Sequence, residues 1–316
     1  MEEKTIMQMK TEKFNDLIKS LLKHLHGKEK ALRLSLITFF SQGHLLIEDL
    51  PGLGKTTLAT SIAKALGLKF GRIQCTNDLL PTDITGLSIY NKETGTFDFH
   101  PGPLFNNIVL VDEINRATSK TQSALLEAME ERQITVEGMT YKLEKPFFVI
   151  ATQNPIEHHG TFPLPKSQLD RFMMRIDLGY PEKESEKMII KEVMSSEEGY
   201  LTERMIDIKE VIQMQDSIRD HVFISDKILG YILDIVKATR ESKYLLAGLS
   251  TRGALAITET ARTNAFFSDR DFMIPEDIKE IAEYTIPHRV IFREEFESYD
   301  KKEIVRSIVK EVSVPV

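Results

Sequence analysis

A parallel α/β sandwich followed by a small helical domain is the fold class that the 316-residue sequence predicts. Three observations carry it. Between residues 44 and about 180, short apolar runs alternate with helical patterns, the mark of a parallel sheet with crossover helices. A glycine-rich turn ending in Gly-Lys-Thr joins the first apolar run to the first helical one. Near Pro181 the apolar runs stop and helical periodicity takes over. The expected division is 1–180 for the αβα part, N-terminal helices included, and 181–316 for the helical part.

Five runs read as strands: "HLLIE" at 44, "FGRIQC" at 70, "NIVLVD" at 107, "FFVIAT" at 147 and "RIDLG" at 175. The third and fourth are apolar on both faces, as buried parallel strands are. After the first, Leu58, Ile62, Ala65 and Leu66 recur at helical spacing, and Gly67 is a stop signal. Between the second and third runs, two alternating segments flank "NKETG", which predicts a β-hairpin inserted at about 83–104. A second hairpin is expected over "QITVEGMTYKL", 133–143, with its turn near Gly138, after the "SALLEAMEE" helix. Past Pro181, Ile228, Ile232, Leu233, Ile235 and Val236 line one helix, "STRGALAITETA" begins another, and Pro275 opens a third with acids in its first turn.

Hydrophobic residues make up 41% and charged residues 28%, which supports a sizeable core. The lone cysteine, Cys75, excludes an internal disulfide and a cysteine-rich zinc site, so a reducing compartment, the cytoplasm, is expected. No run of about 18 apolar residues occurs, and the N-terminus carries acids where a signal peptide needs a basic start, so neither secretion nor a membrane span is expected. A net charge of −7 argues against nucleic acid as a partner.

The stretch "IEDLPGLGKTTLA", 47–59, is nearly a phosphate-binding loop. The pattern G-x-x-x-x-G-K-[ST] uses backbone N–H groups to cradle phosphates, a lysine for the β/γ-phosphates and a hydroxyl for Mg²⁺. Gly54, Lys55 and Thr56 match, but Asp49 stands in the first glycine's place. A carboxylate facing triphosphate would be repelled. Asp49 is therefore expected to point away and bond backbone N–H groups or a neighbour, while Pro51 and Gly52 supply the turn.

Downstream, "IVLVDEIN" places Asp112 and Glu113 at the C-terminal end of a strand, where open α/β sheets bind ligands. Asp112 would hold Mg²⁺ and Glu113 would polarise a water toward the γ-phosphate; an isolated acidic pair would instead cap the next helix. Asn154, ending "IATQN", both donates and accepts hydrogen bonds and could orient that water, or could simply serve the turn before Pro155. Arg171 precedes the fifth strand, and Arg252 opens a helix of the second domain, where the macrodipole offers a cation nothing. Either could face an anionic ligand or be a solvated ion-pair partner. The adjacent His158 and His159 make no metal site, "HLH" at 24–26 reads as helix surface, and the 12 scattered methionines read as core filling.

Taken together, "LPGLGKTT", "VLVDEINRA", "IATQNP", "GTFPLPKSQLDRF" and "STRGAL", in this order, resemble the MoxR family of AAA+ ATPases over most of the chain. The resemblance implies a P-loop αβα domain, a helical lid, ATP with Mg²⁺ as ligands, and a homo-oligomeric, usually hexameric, ring. It implies that Pro51, Gly52, Leu53, Gly54, Lys55, Thr56 and Thr57 form Walker A, with Thr56 on the metal. Asp112 and Glu113 then form Walker B, Asn154 is sensor 1 and Arg252 is sensor 2. Arg171 resembles the arginine finger that reaches a neighbour's ATP, ahead of Arg116 and Arg175. The two hairpins resemble the helix-2 insert and the pre-sensor-1 hairpin. Chaperone-like remodelling of protein clients, sometimes with a von Willebrand factor A domain protein, is the implied function. Family members often read "NPIEQEGTYPLPEAQLDRF" where this chain has "NPIEHHGTFPLPKSQLDRF", a difference that bears on partners more than on hydrolysis. Two alternatives belong to the same AAA+ branch: a magnesium-chelatase-type subunit and a nucleic-acid motor. The motor would need basic hairpins, and these are near neutral.

Overall fold

Two helices, α1 (Glu2–Leu22) and α2 (Glu29–Phe40), precede the first strand in the computed structural model, which describes residues 2–156, 160–194 and 204–315. The chain continues through β1 (Leu45–Glu48), α3 (Lys55–Ala65) and β2 (Phe70–Gln74). A short helix, α4 (Pro81–Thr85), leads into the hairpin β3 (Gly86–Asn91) and β4 (Thr96–Pro101). Then come β5 (Ile108–Asp112), α5 (Ser119–Glu131), the hairpin β6 (Gln133–Val136) and β7 (Met139–Lys142), β8 (Phe148–Gln153), α6 (Lys166–Leu169) and β9 (Met174–Ile176).

All five runs expected as strands join one parallel sheet in the order β2-β5-β8-β1-β9. β5 is buried along its whole length, as its unbroken apolar sequence requires. The order sets the C-terminal ends of β5, β8 and β1 side by side, so the turns that follow them share one edge. Both expected hairpins form as separate two-stranded ribbons. They touch each other: the Phe99 ring stacks on Tyr141 with centroids 4.2 Å apart and planes 15° from parallel.

The rest is mainly helical: α7 (Lys183–Met194), α8 (Ile208–His221), α9 (Asp226–Glu241), β10 (Leu245–Ala247), α10 (Thr251–Phe266), α11 (Pro275–Thr285), β11 (Ile291–Phe292) and α12 (Lys301–Glu311). Side-chain caps start several of these helices, from Asp207, Ser225, Ser250 and Asp300. The ribbon of β10 with β11 has too short an apolar pattern to stand out in sequence.

Two expectations change. "HLH" lies not on a helix surface but in the turn between α1 and α2, where Leu25 is buried. On α9, Ile228, Ile232, Ile235 and Val236 are buried, whereas Leu233 faces solvent, off the buried stripe. The apolar core does not break at residue 180. One cluster runs from Phe14 and Leu17 through Phe39, Ile150 and Ile176 to Ile257 and Ile281, and Phe14 stacks on Phe267 across it. His158 and His159 lie outside the described residues.

Candidate functional site

The turn after β1 owes its shape to two glycines. Gly52 (φ +82°) and Gly54 (φ +90°) take left-handed conformations that side chains resist, and Gly54 caps the start of α3. A Cβ at either would meet no atom within 4 Å, so backbone conformation, not crowding, demands glycine. The result is a helix N-terminus presenting N–H groups to a cavity of about 370 Å³.

Asp49 does not line that cavity and bonds backbone N–H groups, as expected. Its Oδ2 accepts from the N–H of Leu178 and of Gly179, both at 2.7 Å, and Oδ1 accepts from Leu50 N–H at 2.9 Å. The same pair of residues is held from the other side: Lys28 Nζ donates to Leu178 O (3.1 Å) and to Gly179 O. Burial lowers the Lys28 pKa, and the nearby Asp49 carboxylate opposes the shift. The acid in the glycine's place thus ties the loop to the strand-to-helix linker beyond β9.

Pro51, Gly52, Gly54, Lys55, Thr56 and Thr57 line the cavity, opposite Asp112, Glu113 and Asn154. Leu53 turns inward instead and is buried. Lys55 Nζ donates to Asp49 O at 2.6 Å. Burial lowers its pKa, against the pull of Asp49, Asp112 and Glu113. Asp112 receives Arg72 Nε at 2.8 Å on Oδ2 and the Thr152 hydroxyl at 3.3 Å on Oδ1. Glu113 sits at φ +57°, a conformation uncommon for a side-chain-bearing residue, which turns it out of line with β5. Its Oε2 accepts from Arg116 Nη1 (2.9 Å) and Gln74 Nε2 (3.3 Å). Asn154 Oδ1 accepts from Ile156 N–H at 3.1 Å. Arg72, Gln74 and Thr152 escaped the sequence reading; the first two had a signal in the polar alternation of "RIQ" at the end of β2, whose Gln74 is in register with Asp112.

The donor set suits a hard cation. Thr56 and Asp112 offer oxygen ligands on one cavity, and no cluster of three or more His, Cys, Asp or Glu that could enclose a metal occurs among the described residues. Mg²⁺ is commonly held this way, by one or two protein oxygens together with substrate phosphates.

A second cavity of about 270 Å³ shares Gly52, Gly54 and Thr57 with the first. Leu25, Leu53, Leu178 and Ile189 make it largely apolar, and His24 and His26 also line it. Sequence reasoning missed it because its walls come from three segments far apart in the chain.

The arginines separate. Arg116 bonds Glu113, and Arg175 pairs with Glu48 at 3.0 Å across β9 and β1. Arg171 and Arg252 do not line the phosphate cavity. Both meet Glu130 of α5 instead: Arg171 Nη2 at 3.0 Å, with Nη1 donating to Leu126 O at 2.9 Å, and Arg252 on the other carboxylate oxygen.

Residues 44–174 match the ATPase family associated with various cellular activities (AAA), and residues 237–308 match the AAA lid domain. Chaperone MoxR1 of Mycobacterium tuberculosis is 38% identical over 84% of this chain and 72% of its own length. The chain belongs to the MoxR family of AAA+ ATPases. Protein YeaC of Bacillus subtilis, 43% identical over 96% of this chain and 97% of its own, is a further relative of this MoxR protein. A solved structure from Cytophaga hutchinsonii, of a protein assigned as an ATPase, superposes with a TM-score of 0.92 at 40% identity, covering 100% of this chain and 98% of that one. Nucleotide binding and ATPase activity in general come with the MoxR family. The AAA match spans β1 to β9, including every sheet residue lining the phosphate cavity, and the lid match holds Arg252.

Proposed function

We propose that this MoxR protein hydrolyses ATP to ADP and phosphate in the cavity beside α3, within a ring of identical subunits, and spends the cycle on remodelling protein clients. The observation that carries the reading is convergence: Lys55, Thr56, Asp112, Glu113 and Asn154, from three separate turns, line one cavity that continues into an apolar one. The apolar cavity fits a purine base, and the polar one fits its triphosphate.

Lys55 then leaves the Asp49 carbonyl for the β/γ-phosphates, where Gly52 to Thr57 donate backbone N–H groups. Thr56 and Asp112 would hold Mg²⁺, which supplies charge neutralisation on the phosphate oxygens. Glu113 accepts the proton of the attacking water, and Asn154 orients that water. In the present arrangement Gln74 and Arg116 both donate to Glu113 Oε2, so Oε1 is the oxygen that takes the proton.

Arg171 and Arg252 share Glu130, away from their own subunit's cavity, which supports a role for both at the neighbour's γ-phosphate. Arg252 is thereby reassigned from its own site to the adjoining one. The exposed apolar hairpin residues Leu87, Ile89, Tyr90 and Phe97 are suited to gripping a protein client, with a von Willebrand factor A domain protein as one candidate.

Glu113→Gln should retain ATP binding while the hydrolysis rate drops about 100-fold or more. An unchanged rate removes Glu113 from its role. The same variant, loaded with ATP and used as bait, should retain the client. Arg171→Ala rings should be inactive, and mixing in Lys55→Ala subunits should restore turnover; absence of recovery in verified mixed rings would refute the trans geometry.

A further inference from the structure

Arg289 lies just past α11 with its side chain only 2% exposed. A guanidinium is costly to bury unless its charge and donors are met, and here Nη1 and Nη2 find most of their acceptors on one turn of another domain. Nη2 donates to Phe172 O at 2.6 Å and to Asp170 O at 3.4 Å, and Nη1 donates to Met173 O at 3.0 Å. Nε forms an ion pair with Asp170 Oδ1 at 2.9 Å. A further bond from Nη1 to Thr285 O, at 2.5 Å, ties the head to the end of α11. The neighbouring His288 places Nε2 2.9 Å from Phe172 O. Burial lowers the Arg289 pKa to about 10, with Asp170 opposing, so the charge persists at neutral pH. On the far side, Met173 N–H donates to His44 O at 2.8 Å. Asp170, Phe172 and Met173 are thus pinned, and Arg171 between them reaches across to Glu130 and Leu126 O of α5.

We infer that Arg289 is the positioning residue for Arg171: a guanidinium rooted in the helical domain sets the 170–173 turn, and with it the place from which Arg171 reaches Glu130. The inference rests on the trans role of Arg171 given above. Four carbonyl oxygens and a carboxylate around a planar fork are what arginine can satisfy and lysine cannot. The helical domain therefore controls both Arg252, which it carries, and Arg171, which it holds.

The test is steady-state ATPase kinetics of Arg289→Lys, alone and in rings mixed with Lys55→Ala, with Arg171→Ala mixed in the same way as a control. Arg289→Lys should lose about tenfold or more in kcat while KM for ATP stays within about twofold. Lys55→Ala subunits carry an intact Arg171 and should restore turnover at Arg289→Lys sites; loss of fold would not be rescued so. Asp170→Asn, which leaves the guanidinium and its carbonyl contacts in place, should give a smaller kcat loss with the same rescue, and it decides the matter if Arg289→Lys does not assemble. Unchanged kcat in both variants overturns the inference. Rescue of Arg171→Ala without rescue of the positioning variants overturns it while sparing the trans reading; rescue of neither sinks the trans reading, and the inference with it.

Discussion

Asp49 replaces a phosphate-loop glycine and gains three backbone N–H partners in return. Asp49→Gly, although it restores the usual loop pattern, should lower the free energy of unfolding in urea by about 1–3 kcal/mol, because the buried Leu178 N–H and the part-buried Gly179 N–H lose their acceptor. Its nucleotide affinity should move by less than about fivefold, since Asp49 does not line the cavity. A sharp gain or loss of binding by calorimetry would refute the anchoring role. His44 is a second buried polar residue with a measurable consequence. Its Nδ1 accepts from Val149 N–H and its Nε2 faces Met129 O, both at 3.0 Å, and burial, aided by the Arg132 guanidinium, drives its pKa down to about 3. An unfolded histidine titrates near 6.5. Between those values the unfolded chain binds a proton that the folded chain refuses, so stability falls as pH drops from about 6.5 toward 3. His44→Gln should flatten the slope of urea midpoint against pH between 7 and 5; an unaltered slope would clear His44 of the effect. Cys75 is buried and its thiol is pushed up to about 12, so native protein should resist maleimide that labels it after unfolding.

At the level of elements, the two hairpins act as one unit because Phe99 and Tyr141 stack between them, with Phe105 edge-on to both rings. A double-mutant cycle with Phe99→Ala and Tyr141→Ala should return a coupling of about 0.5–1.5 kcal/mol. Additive effects would mean that the ribbons are independent. Each ribbon was legible in sequence, since strict alternation around "NKETG" and around Glu137-Gly138 admits little else. Their contact was not, because residues 42 apart in the chain meet only once β5 and α5 set the two turns on one side.

For the whole molecule, the expected division at residue 180 meets a core that crosses it. α1 stacks Phe14 on Phe267, Ser41 bonds Thr263 at 2.7 Å, and Gln215 Nε2 donates to Phe39 O at 3.0 Å. A fragment of residues 1–180 would leave Phe14, Phe39 and Phe40 without much of their cover and should show no cooperative thermal transition. A sharp calorimetric peak from that fragment would refute the dependence of the first part on the second.

The five strands, their joining in a parallel sheet and the glycine turn that opens α3 were readable in the sequence because buried parallel strands and such turns are local patterns, written in consecutive residues. What only the tertiary structure decided is which distant groups share a space. Asp49 finds Leu178 and Gly179, Glu113 finds Gln74, the α1–α2 turn finds the phosphate loop, and Arg252 leaves the expected cavity to join Arg171 on Glu130. No local pattern encodes these meetings, because buried charges and polar groups take whatever partners the packing of remote elements brings within hydrogen-bond reach.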